Sequence, residues 1–374
     1  MFTWGLSATD GMTDRHKQSY PASITWLSRH DTDRLLLVFN SIIIFNCMSK
    51  SRQSNIELLR IISMFLVLVV HSDFLAIGNP DIKEYSNNPE ATLIRIIIES
   101  VAIGCVDIFI LISGYFGIKP KPKGLFNIVF QVGYFAVLLL LIGIFLYPNS
   151  GTSFALREYI NLNWFVLSYI GLYLLTPILN SFIEHADRRN FSLFLINFFV
   201  FEFVFGFTTE MVPDFNLGYS ILSFSGLYLL GRYVSIYKPN WSQLALHKDV
   251  LIVFLCVLFV SLLGMLAVLK GGMITIPRIF NYYNPIVVVE SLFVLICFTK
   301  FDITSKLINK IAQSCFAVFL FHTHPYVSKM YLYPTIRKLY FNGDYLLITG
   351  AVLFIYIIAT ILDQPRLYLW KKIK

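Results

Sequence analysis

From Asn55 onward, long apolar runs alternate with short polar connectors along almost the whole chain. A helix that crosses a bilayer needs about 17–25 predominantly apolar residues. Ten such segments follow one another, near 56–77, 93–118, 125–147, 163–183, 191–209, 217–237, 249–269, 283–299, 311–328 and 344–364. The connectors carry turn signals: Gly78-Asn79-Pro80, Lys119-Pro120-Lys121-Pro122-Lys123, Tyr147-Pro148-Asn149, Lys238-Pro239-Asn240 and Gly271-Gly272. The pattern predicts an all-α integral membrane protein, a bundle of about ten transmembrane helices.

Lys and Arg on short connectors set the orientation of such a bundle. With residues 48–54 inside, the cytoplasmic connectors hold Lys119, Lys121, Lys123, Arg188, Arg189, Lys238, Lys248, Lys300, Lys306 and Lys310. The tail adds Arg366, Lys371, Lys372 and Lys374. The opposite face holds only Lys83, Arg157, Lys270, Arg278, Lys329, Arg337 and Lys338. Both termini are therefore expected in the cytoplasm. Residues 1–47 fall outside this scheme, because their apolar run from Leu35 to Cys47 is too short to span. They read as a disordered N-terminal extension or a mis-called start before Met48, which leaves 48–374 as one transmembrane domain.

Composition agrees. Hydrophobic residues make up 56% of the chain and charged ones 14%, against roughly 25% charged in soluble domains. Lipid must cover much of the exterior, and the 35 Phe and 21 Tyr suit lipid-facing rings and interfacial belts. The net charge of +8 is scattered over connectors without a basic helix, so nucleic acid is not an expected partner. The five Cys form no C-x-x-C pair, so neither a disulfide framework nor a metal site is expected.

Ionisable residues inside a bilayer are costly and mark functional positions by default. Counting about 1.5 Å per residue from each cytoplasmic end, His71 lies near 21 Å, Asp107 and His322 near 18 Å, Glu202 near 17 Å and Glu290 near 15 Å. Five groups from five segments thus share a layer near the midplane. Arg60 and Arg232 lie closer to the cytoplasmic face, beside Lys119, Lys121 and Lys123. Arg60 and His71 are eleven residues apart, hence on one helix face and roughly 16 Å apart along the axis. A cationic mouth suits phosphate groups, and a midplane histidine can serve as general base with a carboxylate such as Asp107 fixing its tautomer. That geometry fits an acyl-CoA entering from the cytoplasm with its thioester delivered to His71. The competing chemistry is the proton or ion relay of a transporter.

Several segments carry a family likeness: Arg60-x10-His71, Val106-Asp-Ile-Phe-Ile-Leu-Ile-Ser-Gly-Tyr-Phe116, Asn163-Trp-Phe-Val-Leu-Ser-Tyr-Ile-Gly-Leu-Tyr-Leu-Leu-Thr-Pro177, Tyr228-Leu-Leu-Gly-Arg-Tyr233 and Ser314-Cys-Phe-Ala-Val-Phe-Leu-Phe-His322. In this order they resemble the membrane-bound acyltransferase family 3, the O-acyltransferases of bacterial surface polysaccharides. The resemblance implies a multi-pass protein of the bacterial plasma membrane. It implies acetyl-CoA as donor, no bound cofactor, and a hydroxyl of a polysaccharide or lipid-linked sugar as acceptor. It makes His71 the base and Arg60 a donor contact; by depth and charge Asp107 is expected beside His71, and Ser113, Tyr115, Lys119, Lys121, Lys123 and Arg232 are expected with Arg60 at the donor. The three lysines stand where many members have Arg-x-x-Arg, keeping charge and losing the bidentate fork. Trp164, Glu202, Glu290 and His322 are the expected acceptor contacts, and His324 is expected to be structural. A polysaccharide or lipid-linked sugar exporter without acyl transfer is the alternative.

Overall fold

The computed structural model describes residues 53–146, 162–271 and 275–373. The expectations for residues 1–47 and for a start at Met48 lie outside these. Among the described residues the chain is helical and contains no strand. Seven helices are long and apolar enough to cross a membrane: Ser54–Ile77 (α1), Pro89–Phe116 (α2), Pro122–Ile144 (α3), Trp164–His185 (α4), Arg188–Thr208 (α5), Leu246–Lys270 (α7) and Tyr345–Ile373 (α11). Between them lie the shorter Ile221–Tyr237 (α6), Pro285–Thr299 (α8), Cys315–Thr323 (α9) and Tyr333–Asn342 (α10).

All ten predicted segments contain helix, but 217–237, 283–299 and 311–328 are shorter than expected. The reasons are local. A Ser220 cap, whose side chain accepts from Ser223 N, delays the start of α6. Asn284 caps α8, and Pro285 fills its first position, where a missing N–H costs nothing. Pro325 forces its predecessor out of the helical region, and His324 at φ −61°, ψ 130° ends α9 after nine residues.

Two features of the packing matter for the site. First, α2 and α6 lie in close contact at Gly114, where a Cβ would fall on the Tyr228 carbonyl oxygen. Lipid gives no hydrophobic drive between helices, so close backbone approach at small residues supplies the packing instead. Second, the ladder of α2 breaks at Ile103–Gly104, and Ser291 Oγ of α8 donates to the Gly104 carbonyl at 3.1 Å. The same carbonyl accepts from Ile108 N at 3.1 Å, so Ser291 adds a cross-helix bond at the break.

Candidate functional site

The last seven residues of α1, His71–Ile77, wind as a π-helix, a local unwinding common at functional positions. An ion cluster anchors this stretch. Arg95 of α2 donates from Nε to Asp73 Oδ1 at 2.5 Å and from Nη1 to both Glu84 oxygens at 2.7 Å. Its Nη2 reaches the Gly78 carbonyl, and the Tyr340 hydroxyl donates to Glu84 at 2.8 Å. Asp73 is two residues beyond His71, so this network fixes the turn that carries the histidine. Sequence reasoning missed Arg95 and Asp73. The available signal was the charge of Arg95 inside the apolar segment 93–118 and of Asp73 inside 56–77.

His71 projects onto His322 of α9. His322 Nε2 and His71 Nδ1 are 2.9 Å apart, and His322 Nδ1 is 2.7 Å from the Val318 carbonyl. The tautomers follow. A carbonyl only accepts, so His322 Nδ1 carries the proton. His322 is fully buried, where an imidazolium would be costly, so its Nε2 is the lone-pair acceptor. His71 Nδ1 must then donate, which leaves the lone pair of His71 on Nε2. The histidine pair holds one ring as a base with a defined direction.

Aromatic side chains wall this pair. Phe319 meets His322 edge-on at 5.8 Å, and Phe165 lies 4.8 Å from Phe319. Asn163 caps α4 and donates to Thr323 Oγ1 at 3.2 Å, joining the start of α4 to the residue after His322. Trp164 packs 4.4 Å from Tyr219 and 5.8 Å from Tyr282, a half-buried aromatic group next to that junction. His324 is buried, and its Nδ1 accepts from Tyr326 N at 3.2 Å.

The residues expected to contact the donor lie on α1, α2, α6 and the connector after α2. Arg60 pairs with Glu57 at 3.0 Å and keeps about a third of its side chain exposed. Arg232 lies against Gly117, where a Cβ would stand 3.3 Å from the guanidinium carbon. Gly117 also has φ +74°, a conformation that side chains disfavour. Arg232 Nη1 lies 3.5 Å from the Tyr115 carbonyl. Ser113 Oγ donates to Phe109 O at 2.9 Å and lies 3.4 Å from the Tyr169 hydroxyl.

The connector with Lys119, Lys121 and Lys123 has a fixed backbone and exposed side chains. Ile118 N donates to the Tyr228 hydroxyl at 3.1 Å, which donates to Asn180 Oδ1 at 2.7 Å, and Asn180 Nδ2 donates to Ile118 O at 2.9 Å. Tyr173 does the same for Lys121, accepting from its N at 2.9 Å and donating to its O at 2.8 Å. Sequence reasoning did not single out Tyr173, Asn180 and Tyr228 as anchors of this loop.

The midplane layer is only partly assembled. Asp107 is fully buried, and among the described residues neither of its carboxylate oxygens has a hydrogen-bond partner. The ring partner of His71 is His322, not Asp107, because α9 delivers an imidazole where the carboxylate was expected. Glu202 accepts from Ser223 Oγ at 2.6 Å and borders an apolar cavity of about 320 Å³ with Phe199, Tyr283 and Phe293. Glu290 is buried, and its Oε2 has no partner among the described residues. Among the described residues neither glutamate hydrogen-bonds the histidine pair.

A family model described as an acyltransferase domain, acyltransferase 3, matches residues 53–362. The chain belongs to the acyltransferase 3 family. The match takes in every residue of the site, from Arg60 to His322, and makes the protein a multi-pass membrane acyltransferase. No curated protein and no solved structure matches the chain.

Proposed function

We propose that the protein is a membrane O-acetyltransferase that moves acetyl from acetyl-CoA to a hydroxyl of a cell-surface polysaccharide or its lipid-linked precursor. The observation that supports this best is the histidine pair, which presents an unprotonated His71 Nε2 on the same helix as Arg60. Arg60, Arg232, Lys119, Lys121 and Lys123 hold the phosphates of the donor, with Ser113 and Tyr115 beside them. The acceptor hydroxyl attacks the thioester carbonyl while His71 Nε2 takes its proton, and the departing CoA thiolate receives a proton in turn. As His71 becomes cationic, its Nδ1–H bond to His322 becomes charge-assisted and strengthens. That gain exists only as the reaction proceeds, which is the condition for lowering a barrier. His322 thereby serves the base and not the acceptor, while Trp164, with Tyr219 and Tyr282, offers a ring face for a sugar. The bundle spans the bacterial plasma membrane ten times, using the segments of α6, α8 and α9 as well as the seven long helices, with both ends cytoplasmic.

The deciding experiment is transfer of radiolabelled acetyl by the purified full chain in liposomes supplied with acetyl-CoA and a surface-polysaccharide extract. Label in the glycan supports the reading. Passage of glycan across the membrane with no acetyl transferred would replace it with the exporter.

A further inference from the structure

The histidine pair lies between two cationic regions, and the donor accounts for one. The second surrounds a cavity of about 520 Å³ whose lining includes Leu75, Ala76, Lys329, Tyr333, Arg337 and Lys338. It sits at the opposite end of α1 from Arg60. Leu75 and Ala76 belong to the π-helical stretch that begins with His71, and follow it by about 6–8 Å along the axis.

The cavity has a fixed floor and a charged rim. Ala76 is buried against Leu332 and Ile336, and Arg337 Nε donates to the Ala76 carbonyl at 3.1 Å. Lys329 and Lys338 are exposed, and among the described residues neither forms an ion pair. The nearby carboxylates Asp73 and Glu84 are engaged by Arg95. Three like charges around one cavity repel each other unless an anion is present. They also stand at the end of the bundle where orientation disfavours Lys and Arg.

We propose that this cavity binds an anionic group of the acceptor, a phosphate or carboxylate, while the acceptor hydroxyl lies at His71. The proposal rests on the acyltransferase reading above and adds the acceptor's class: a charged glycan or a phosphate-linked sugar. Arg337 supplies planar donors suited to an oxyanion, and the lysines supply point charge. Donor phosphates and acceptor anion are thus kept at opposite ends of α1.

Occupancy and turnover are tested separately. The full chain is placed in phosphatidylcholine nanodiscs with saturating desulfo-CoA, so that the donor end is filled. Inorganic pyrophosphate is then titrated against amine labelling, read by mass spectrometry at each lysine. Protection is expected at Lys329 and Lys338 and not at the exposed Lys83 and Lys270. Arg337→Gln keeps a donor for the Ala76 carbonyl while removing the charge. It should raise the half-protecting concentration roughly tenfold, the scale of one charged hydrogen bond. Lys338→Gln, at an exposed position, should do so with the readout at Lys329. In the transfer assay, with acetyl-CoA held saturating so that the donor end is filled, pyrophosphate should compete with the acceptor. Equal protection at all four lysines, or indifference to both substitutions, overturns the proposal. So does protection by phosphatidylglycerol nanodiscs with none by pyrophosphate, which would make the cavity a lipid headgroup contact. Acetyl transfer without protection sinks the anion site alone, whereas protection without any transfer sinks the acyltransferase reading.

Discussion

His71 donates from Nδ1 to Nε2 of His322 at 2.9 Å, and His322 donates from Nδ1 to the Val318 carbonyl at 2.7 Å. The second bond decides the first. Because the backbone carbonyl can only accept, the chain of donors runs one way and the free lone pair falls on His71 Nε2.

Removing the base should therefore act on the chemical step. His71→Ala is expected to lower kcat by about 10²–10⁴ with the KM for acetyl-CoA nearly unchanged. Arg60→Ala should do the reverse, since phosphate contacts are equally present before and during reaction, and Arg60→Lys should recover only part of the loss. His322→Gln, whose amide oxygen can accept from His71, should retain more turnover than His322→Leu. Ring-nitrogen NMR of histidine-labelled protein should show His71 as the Nδ1–H tautomer in the parent and lose that assignment in His322→Leu. A parent spectrum with His71 protonated on Nε2 instead would reverse the direction of the chain.

How much of this was legible in the sequence depends on the kind of information. The apolar runs carried the helices, and Arg60-x10-His71 placed two groups on one face because helical period alone decides that. The partner of His71 was not legible, since His322 lies 251 positions away and only the packing of α9 brings it near. Depth counting put Asp107 and His322 at similar levels, but depth says nothing of azimuth. Three segments read longer than their helices because hydropathy continues past the caps and prolines that bound them, as at Asn284-Pro285 and His324-Pro325. Arg95 was passed over even though its charge inside an apolar run was visible, because its partners Asp73 and Glu84 come from other segments.

Arg95 offers a test of what holds the end of α1. It serves Asp73, Glu84 and the Gly78 carbonyl at once, and both Arg95 and Asp73 are buried. Arg95→Leu leaves a buried carboxylate unpaired and should cost about 3–5 kcal/mol. Adding Asp73→Leu removes the stranded charge, so the double variant should be more stable than the single one. Thermal stability in detergent, followed by size-exclusion recovery, measures both. Equal or greater loss in the double variant would mean that Asp73 has a second partner.

The contact of α2 with α6 can be probed at Gly114. A Cβ there meets the Tyr228 backbone carbonyl, which cannot swing aside as a side-chain tip can. Gly114→Ala should destabilise by about 1–3 kcal/mol. Gly133→Ala in α3, where a Cβ meets nothing within 4 Å, should be neutral or gain up to about 1 kcal/mol from helix propensity. Measured in one detergent, the melting temperature should fall for Gly114→Ala and hold or rise for Gly133→Ala.

Tyr228 connects stability to donor binding. Its ring is fully buried, yet its hydroxyl accepts from Ile118 N and donates to Asn180 Oδ1, pinning the loop that presents Lys119 and Lys121. Tyr228→Phe keeps the ring and its packing, so the fold should lose only about 1–3 kcal/mol for the groups left unpaired. The loop backbone would lose one of its anchors, with Asn180 at the Ile118 carbonyl and Tyr173 at Lys121 remaining. Limited trypsin cleavage after Lys119 to Lys123 should accelerate, though Lys-Pro bonds resist trypsin and the bond after Lys123 is the one to follow. The KM for acetyl-CoA should rise several-fold, because lysines on a loosened loop must be ordered at the moment of binding. kcat at saturating donor should stay near the parent value, since His71 and His322 lie on α1 and α9 and touch none of these bonds. A drop in kcat with unchanged donor KM would show instead that Tyr228 acts through the packing of α6 and that the loop plays no part in holding the donor.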